Sequence, residues 1–182
     1  MPITTTYYDK AKHQLKEKFH ISETGQKNGE YISYYDTKGI EIICTYKNDI
    51  LEGEMRTYHR NGQLASCVTY VKGKKQGKEI KYQDNGILTE TAYYKDGLAF
   101  GEKTNYDQYG NKYKVTTYLK GKKDGAEIYY HTDKSILAVA FYSDDKNVGS
   151  STFKKGTLFD KDLETIIQKS QSPVIQKSSN SR

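Results

Sequence analysis

The chain has 182 residues, of which 35% are hydrophobic and 29% charged, with a formal net charge of +6 and a mean hydropathy of -0.90. No stretch approaches the roughly 20 apolar residues of a membrane-spanning helix, and two cysteines, Cys44 and Cys67, are too few for a disulfide framework and stand in no zinc-ligand spacing. Scattered apolar residues at this density would predict disorder, but here they return in register.

Glycine recurs every 24 positions, at Gly29, Gly53, Gly77, Gly101, Gly125 and Gly149, without insertion or deletion. Five residues after each of the first five glycines stands a tyrosine (Tyr34, Tyr58, Tyr82, Tyr106, Tyr130), and seventeen after each stands another (Tyr46, Tyr70, Tyr94, Tyr118, Tyr142). A fixed short period is the mark of an array in which one supersecondary unit stacks on copies of itself.

In chain order, residues 1–28 read as a degenerate repeat or cap. Tyr8-Asp9, Gln14-Leu15 and Gly25-Gln26-Lys27-Asn28-Gly29 imitate Tyr58-His59, Gln63-Leu64 and Gly73-Lys74-Lys75-Gln76-Gly77. The rival reading is an amphipathic helix with Ala11, Leu15 and Phe19 on one stripe. Residues Met1 to His13 hold no continuous apolar run of the signal-peptide kind, which predicts a cytoplasmic protein and leaves signal-independent secretion open. Residues 29–156 read as consecutive β-hairpins: Glu54 to Tyr58 alternates, Asn61-Gly62 supplies a turn, Leu64 to Tyr70 alternates again, and Gly73 turns the chain once more. Residues 157–169 read as a capping helix, with Leu163, Ile166 and Ile167 on one stripe, Asp160, Asp162 and Glu164 early, and Lys169 late. Residues 170–182 read as a disordered tail. The expected fold is therefore all-β: a solenoid of 24-residue hairpins forming one elongated twisted antiparallel sheet, closed by a short C-terminal helix.

Strand parity predicts the faces. Ile32 with Tyr34, Ile80 with Tyr82 and Ile128 with Tyr130 share a face, expected to continue into Cys44, Val68, Ala92, Thr116 and Ala140 beside the later tyrosines, with tyrosines of neighbouring repeats stacked. The other face is expected to show the strip Tyr93, Val115, Val139 and Phe141, a candidate partner site if its apolar residues align. A second candidate is the column one residue beyond the early tyrosines: Tyr35, His59, Gln83, Asp107 and His131. Two basic turns, one with Lys72, Lys74, Lys75 and Lys78 and one with Lys120, Lys122 and Lys123, are the alternative anion-binding residues, for anionic lipid or nucleic acid.

No constellation points to catalysis, a metal or a cofactor. His59 and His131 lie three repeats apart, roughly 30 Å at two strand spacings per hairpin, too far to share a metal or a proton. Cys44 and Cys67 have opposite parity in adjacent repeats, which predicts no bridge.

Tyr58-His59-Arg60-Asn61-Gly62-Gln63-Leu64, followed by Tyr70 and Gly73-Lys74-Lys75-Gln76-Gly77, resembles the bacterial MORN-variant repeat, and the likeness extends over roughly residues 7–156. The chain departs from the pattern at Lys134 and Ser135, where a different turn is expected. Proteins similar to this include YwqK-type antitoxins. The resemblance implies binding rather than catalysis, most concretely an antitoxin or immunity protein that neutralises a partner toxin. The alternatives are a membrane-surface or polyanion-binding scaffold acting through the lysine turns, or a secreted effector that binds a host protein.

Overall fold

Two kinds of turn build the fold, and the computed structural model describes them over residues 1–171. In the first kind, the His59 N–H donates to the Gln63 carbonyl at 2.8 Å and the Gly62 N–H to the His59 carbonyl at 2.8 Å. Only Gly62 has positive φ (85°), while the Asn61 side chain accepts from the Gln63 N–H at 3.0 Å. Asn-Gly thus makes a three-residue loop with one left-handed residue, not a turn in which both residues are left-handed. The departure at Lys134 and Ser135 leaves the turn unchanged: Lys134 takes φ 69° and the His131 N–H donates to the Ser135 carbonyl at 2.8 Å. In the second kind both central residues have positive φ, as in Lys72-Gly73 (50° and 76°) and Asp144-Asp145 (52° and 69°), the type I′ geometry that matches strand twist.

These turns link β1 (Ile3–Tyr7), β2 (Leu15–Ile21), β3 (Lys27–Tyr34), β4 (Ile40–Lys47), β5 (Ile50–Leu51), β6 (Gly53–Tyr58), β7 (Leu64–Val71) and β8 (Lys74–Tyr82). They are followed by β9 (Leu88–Lys95), β10 (Leu98–Ala99), β11 (Gly101–Tyr106), β12 (Lys112–Leu119), β13 (Lys122–Tyr130), β14 (Ile136–Ser143) and β15 (Lys146–Thr152). All fifteen belong to one antiparallel sheet in sequence order, with the short β5 and β10 pairing only to β4 and β9. Leu15 and Phe19 lie in strand β2, so the helical alternative for that stretch is not what the chain adopts. A 3-10 turn (Asp160–Asp162) leads into α1 (Leu163–Gln171). The tail expected over 170–182 falls outside the described residues from 172 on, and positions 170 and 171 end the helix.

The register corrects the face assignment. Tyr31 pairs with Cys44, Met55 with Val68, Glu79 with Ala92, Lys103 with Thr116 and Glu127 with Ala140, whereas Ile32 pairs with Ile43 and Ile128 with Val139. The reason is an irregularity in every hairpin, such as that between Ser33 and Tyr34. Carrying the pairing straight up from Tyr34 opposite Ile40 would place Ile32 opposite Ile42, on the face of Cys44, but the bulge slips the register by one residue and so exchanges the faces. The two tyrosine columns therefore point to opposite sides. The late face carries Tyr46 to Tyr142 with a buried spine of Cys44, Val68, Ala92 and Thr116. The early face carries Tyr34 to Tyr130.

The compact apolar core lies on the early face near the C-terminus. Val115, Ile128, Tyr130, Ile136 and Val139 are buried, and Phe153, Leu158, Leu163 and Ile166 pack over them. Helix α1 thus covers a sheet face. The last strand, β15, is exposed along its whole length, so the helix caps a face of the sheet and not its open edge.

Candidate functional site

The late face holds charges that pair with one another, although the second oxygen of Glu79 is buried without a hydrogen bond among the described residues. Glu127, 2% exposed, accepts from Lys123 Nζ at 2.7 Å, Thr116 Oγ1 at 2.9 Å and Tyr129 OH at 2.9 Å. Burial pushes its carboxyl up, but those hydrogen bonds outweigh it and hold the group below the ordinary glutamate range. Glu79, 3% exposed, accepts from Lys75 Nζ at 2.5 Å. Glu90, between them, is bracketed by Lys103 at 2.7 Å and Lys81 at 3.0 Å; burial raises its carboxyl and the two lysines bring it below the usual value. The expected tyrosine stacking between repeats is replaced by ammonium groups over rings: Lys27 stands 5.3 Å from the Tyr46 centroid, Lys75 4.9 Å from Tyr94 and Lys123 4.5 Å from Tyr142. These lysines recur every 48 residues, with Leu51 and Ala99 between them, so the hairpins alternate in two types. Lys75 and Lys123 are consequently inward-turned and drop out of the expected anion-binding turns. Lys122 is tied to Asp144 at 2.6 Å, which leaves Lys72, Lys74, Lys78 and Lys120 of the set as exposed turn-region lysines with no anionic side-chain partner among the described residues.

The predicted column is a lacing between repeats rather than an open binding row. Tyr35 OH donates to the Tyr58 carbonyl at 2.6 Å, His59 Nε2 lies 2.9 Å from the Tyr82 carbonyl, and His131 Nε2 lies 3.4 Å from the Phe153 carbonyl. Tyr35 and His59 thus reach the carbonyl at the bulge of the following hairpin, whereas His131 approaches the residue just past the end of β15. Asp107 instead caps its own turn, accepting from the N–H groups of Tyr109 at 2.9 Å and Asn111 at 2.8 Å. Gln83 sits half-buried at the equivalent turn, its backbone N–H donating to the Ile87 carbonyl at 2.8 Å.

The predicted second-strand strip divides. Val139 is fully buried and Val115 is 5% exposed, while Phe141 packs against the same core, because α1 lies over these positions. They are core, not partner surface. Tyr93 is 46% exposed and lies beyond the helix.

The exposed apolar row that sequence reasoning missed flanks the type I′ turns on the early face. There Lys47 pairs with Ile50, Val71 with Lys74, Lys95 with Leu98 and Leu119 with Lys122. In sheet order the aliphatic pairs Ile50/Val71 and Leu98/Leu119 alternate with lysine pairs, again with a 48-residue period. Ile50, Val71, Leu98 and Leu119 are 43–50% exposed, and Phe100 is 45% exposed. A groove of about 210 Å³ opens between Leu98, Phe100 and Leu119, rimmed by Lys95, Asp96 and Lys120. Comparing positions 48 residues apart, rather than 24, would have revealed this row from the sequence.

Among the described residues no group of three His, Cys, Asp or Glu is placed to hold a metal, and no helix is long and apolar enough to cross a membrane. Cys44 and Cys67 are both free; burial pushes the Cys44 thiol up to about 11.

Residues 27–48, 51–72 and 75–96 each match the family model described as MORN repeat variant. Over these three segments the chain is similar to MORN-variant repeats. Each spans one hairpin of the sheet, β3–β4, β5–β7 or β8–β9, and β10–β12 and β13–β14 continue the hairpins at the same 24-residue step. MORN repeats are commonly protein- or membrane-binding modules, consistent with a non-catalytic role. No curated protein matches the chain.

Proposed function

We propose that this chain is a non-catalytic module that binds a protein partner stoichiometrically, and that it acts in the cytoplasm as an antitoxin or immunity protein occluding a toxin. The observation that carries the binding reading is the row of Ile50, Val71, Leu98, Phe100 and Leu119: five large apolar side chains roughly half exposed on one edge of a sheet that has its own core elsewhere. The resemblance to antitoxins supplies the toxin. Affinity capture of the tagged full chain from its native cells, washed at low and then at about 0.5 M salt, tests the reading, because salt at that level screens most exposed charge attraction. One protein retained in equimolar amount, whose toxicity co-expression relieves, is the expected outcome; retention of nothing but lipid or nucleic acid at low salt overturns it. The second reading, a polyanion or anionic-membrane scaffold, is favoured by Lys72, Lys74, Lys78 and Lys120, which stand exposed at the turn edge.

A further inference from the structure

We propose that the groove of Leu98, Phe100 and Leu119 seats an acidic protein segment that inserts a bulky apolar side chain, and that Ile50 with Val71 forms a second station for the same segment. The proposal rests on the protein-binding reading above and specifies its site and the chemistry of its partner.

Three observations carry it. First, the groove is concave, about 210 Å³, and its apolar walls are 45–50% exposed, so a side chain can enter and lose water there without disturbing the fold. Second, its rim is predominantly basic: Lys95 and Lys120 line it against a single Asp96, and the Lys95 ammonium lies 5.9 Å from the Phe100 ring centroid. A segment carrying carboxylates beside its apolar anchor is complementary to that rim. Third, the register repeats the arrangement at Ile50 and Val71, flanked by Lys47 and Lys74. Four strand steps separate the two stations, about 19 Å, a distance spanned by about six extended residues or about thirteen helical ones.

A lipid surface suits this edge less well. Asp49, Asp96, Asp144 and Asp145 occupy alternate turn tips, where a flat anionic bilayer would meet them before it reached the groove. A protein segment passes between the tips.

The test is selection of a displayed random-peptide library on the folded full chain, with binding of the recovered peptides remeasured on variants. The expected peptides are acidic, carry bulky aliphatic or aromatic residues, and lose about tenfold or more in affinity on Leu98→Ser/Leu119→Ser. They should lose affinity also on Lys95→Glu/Lys120→Glu, and less on Ile50→Ser/Val71→Ser. Circular dichroism of each variant should match the parent, since every substituted side chain is exposed. Basic or neutral peptides, or acidic ones indifferent to these variants, would overturn the seat while leaving protein binding intact. Failure to recover any peptide, with binding to phosphatidylcholine vesicles containing phosphatidylserine instead, would overturn both the seat and the reading beneath it.

Discussion

Counted from β3–β4, the first and fifth hairpins of this sheet share a backbone but not an interior. In the fifth, Ile128, Ile136 and Val139 are 0–6% exposed beneath Leu158, Leu163 and Ile166. In the first, the corresponding Ile32 and Ile43 are only half-buried and Ile40 is 37% exposed, because no described element crosses that part of the early face. The late face reverses the emphasis: an aromatic cluster of Phe19, Tyr31 and Tyr46 with Lys27 at the N-terminal end gives way to the buried charges of Glu79 and Glu127 further on. The difference teaches that a repeat supplies strands and turns, while what seals each face is decided locally.

Removing the seal should have the largest effect. A chain ending at Gly156 uncovers the Val115–Val139 core and loses three aliphatic contacts, each worth about 1.5–3 kcal/mol when fully buried. The expected result is a large drop in the urea midpoint and new binding of a hydrophobic dye. Next comes the same substitution at two ends of the array. Ile136→Ala, at a fully buried site, should cost about 2–5 kcal/mol, and Ile40→Ala, at a 37% exposed site, well under half of that; equal losses in chemical denaturation would mean that the first hairpin is covered after all.

Paired carboxylates, Glu127 and Glu90 on the late face and Asp160 beside Tyr130 on the early face, make the comparison pH-dependent. The carboxyls of Glu127, Glu90 and Asp160 are all held low, so their stabilisation is fully present above the unfolded-state values near pH 4 and is lost as pH falls through the lower folded-state values. Acid titration followed by circular dichroism should therefore show unfolding that begins below about pH 4, and Glu127→Gln should flatten that dependence while lowering neutral-pH stability by about 1.5–3 kcal/mol. The smallest expected effect is in the lacing. Tyr35→Phe removes one hydrogen bond to the Tyr58 carbonyl and should cost about 0.5–1.5 kcal/mol without weakening partner binding; a loss of binding at unchanged stability would return that column to the interface.

Much of this was legible beforehand. The glycine period fixed the hairpins, and each turn obeyed its local chemistry, even where Lys38 and Lys134 had to take positive φ in place of glycine. The candidate site was legible only in part. Tyr93 was correctly placed in the open, but Val115, Val139 and Phe141 were read as surface since nothing in a strand pattern shows that a helix lies over it. Tyr35 and His59 read as a candidate binding column since their partners are backbone carbonyls one repeat away, which no side-chain pattern records. Leu98 and Leu119 were overlooked because each is one apolar residue beside a turn, and only the pairing of β9, β10, β12 and β13 gathers them with Phe100 into a groove.

The sequence by itself determined the period, the hairpins and the order of strands, because these follow from backbone preferences of short stretches: positive φ at turns and alternation along strands. Only the tertiary structure decided which residues share a face and which are covered. A single-residue bulge in each hairpin exchanges the two faces, and burial depends on where a distant helix comes to rest, neither of which is written in the local pattern.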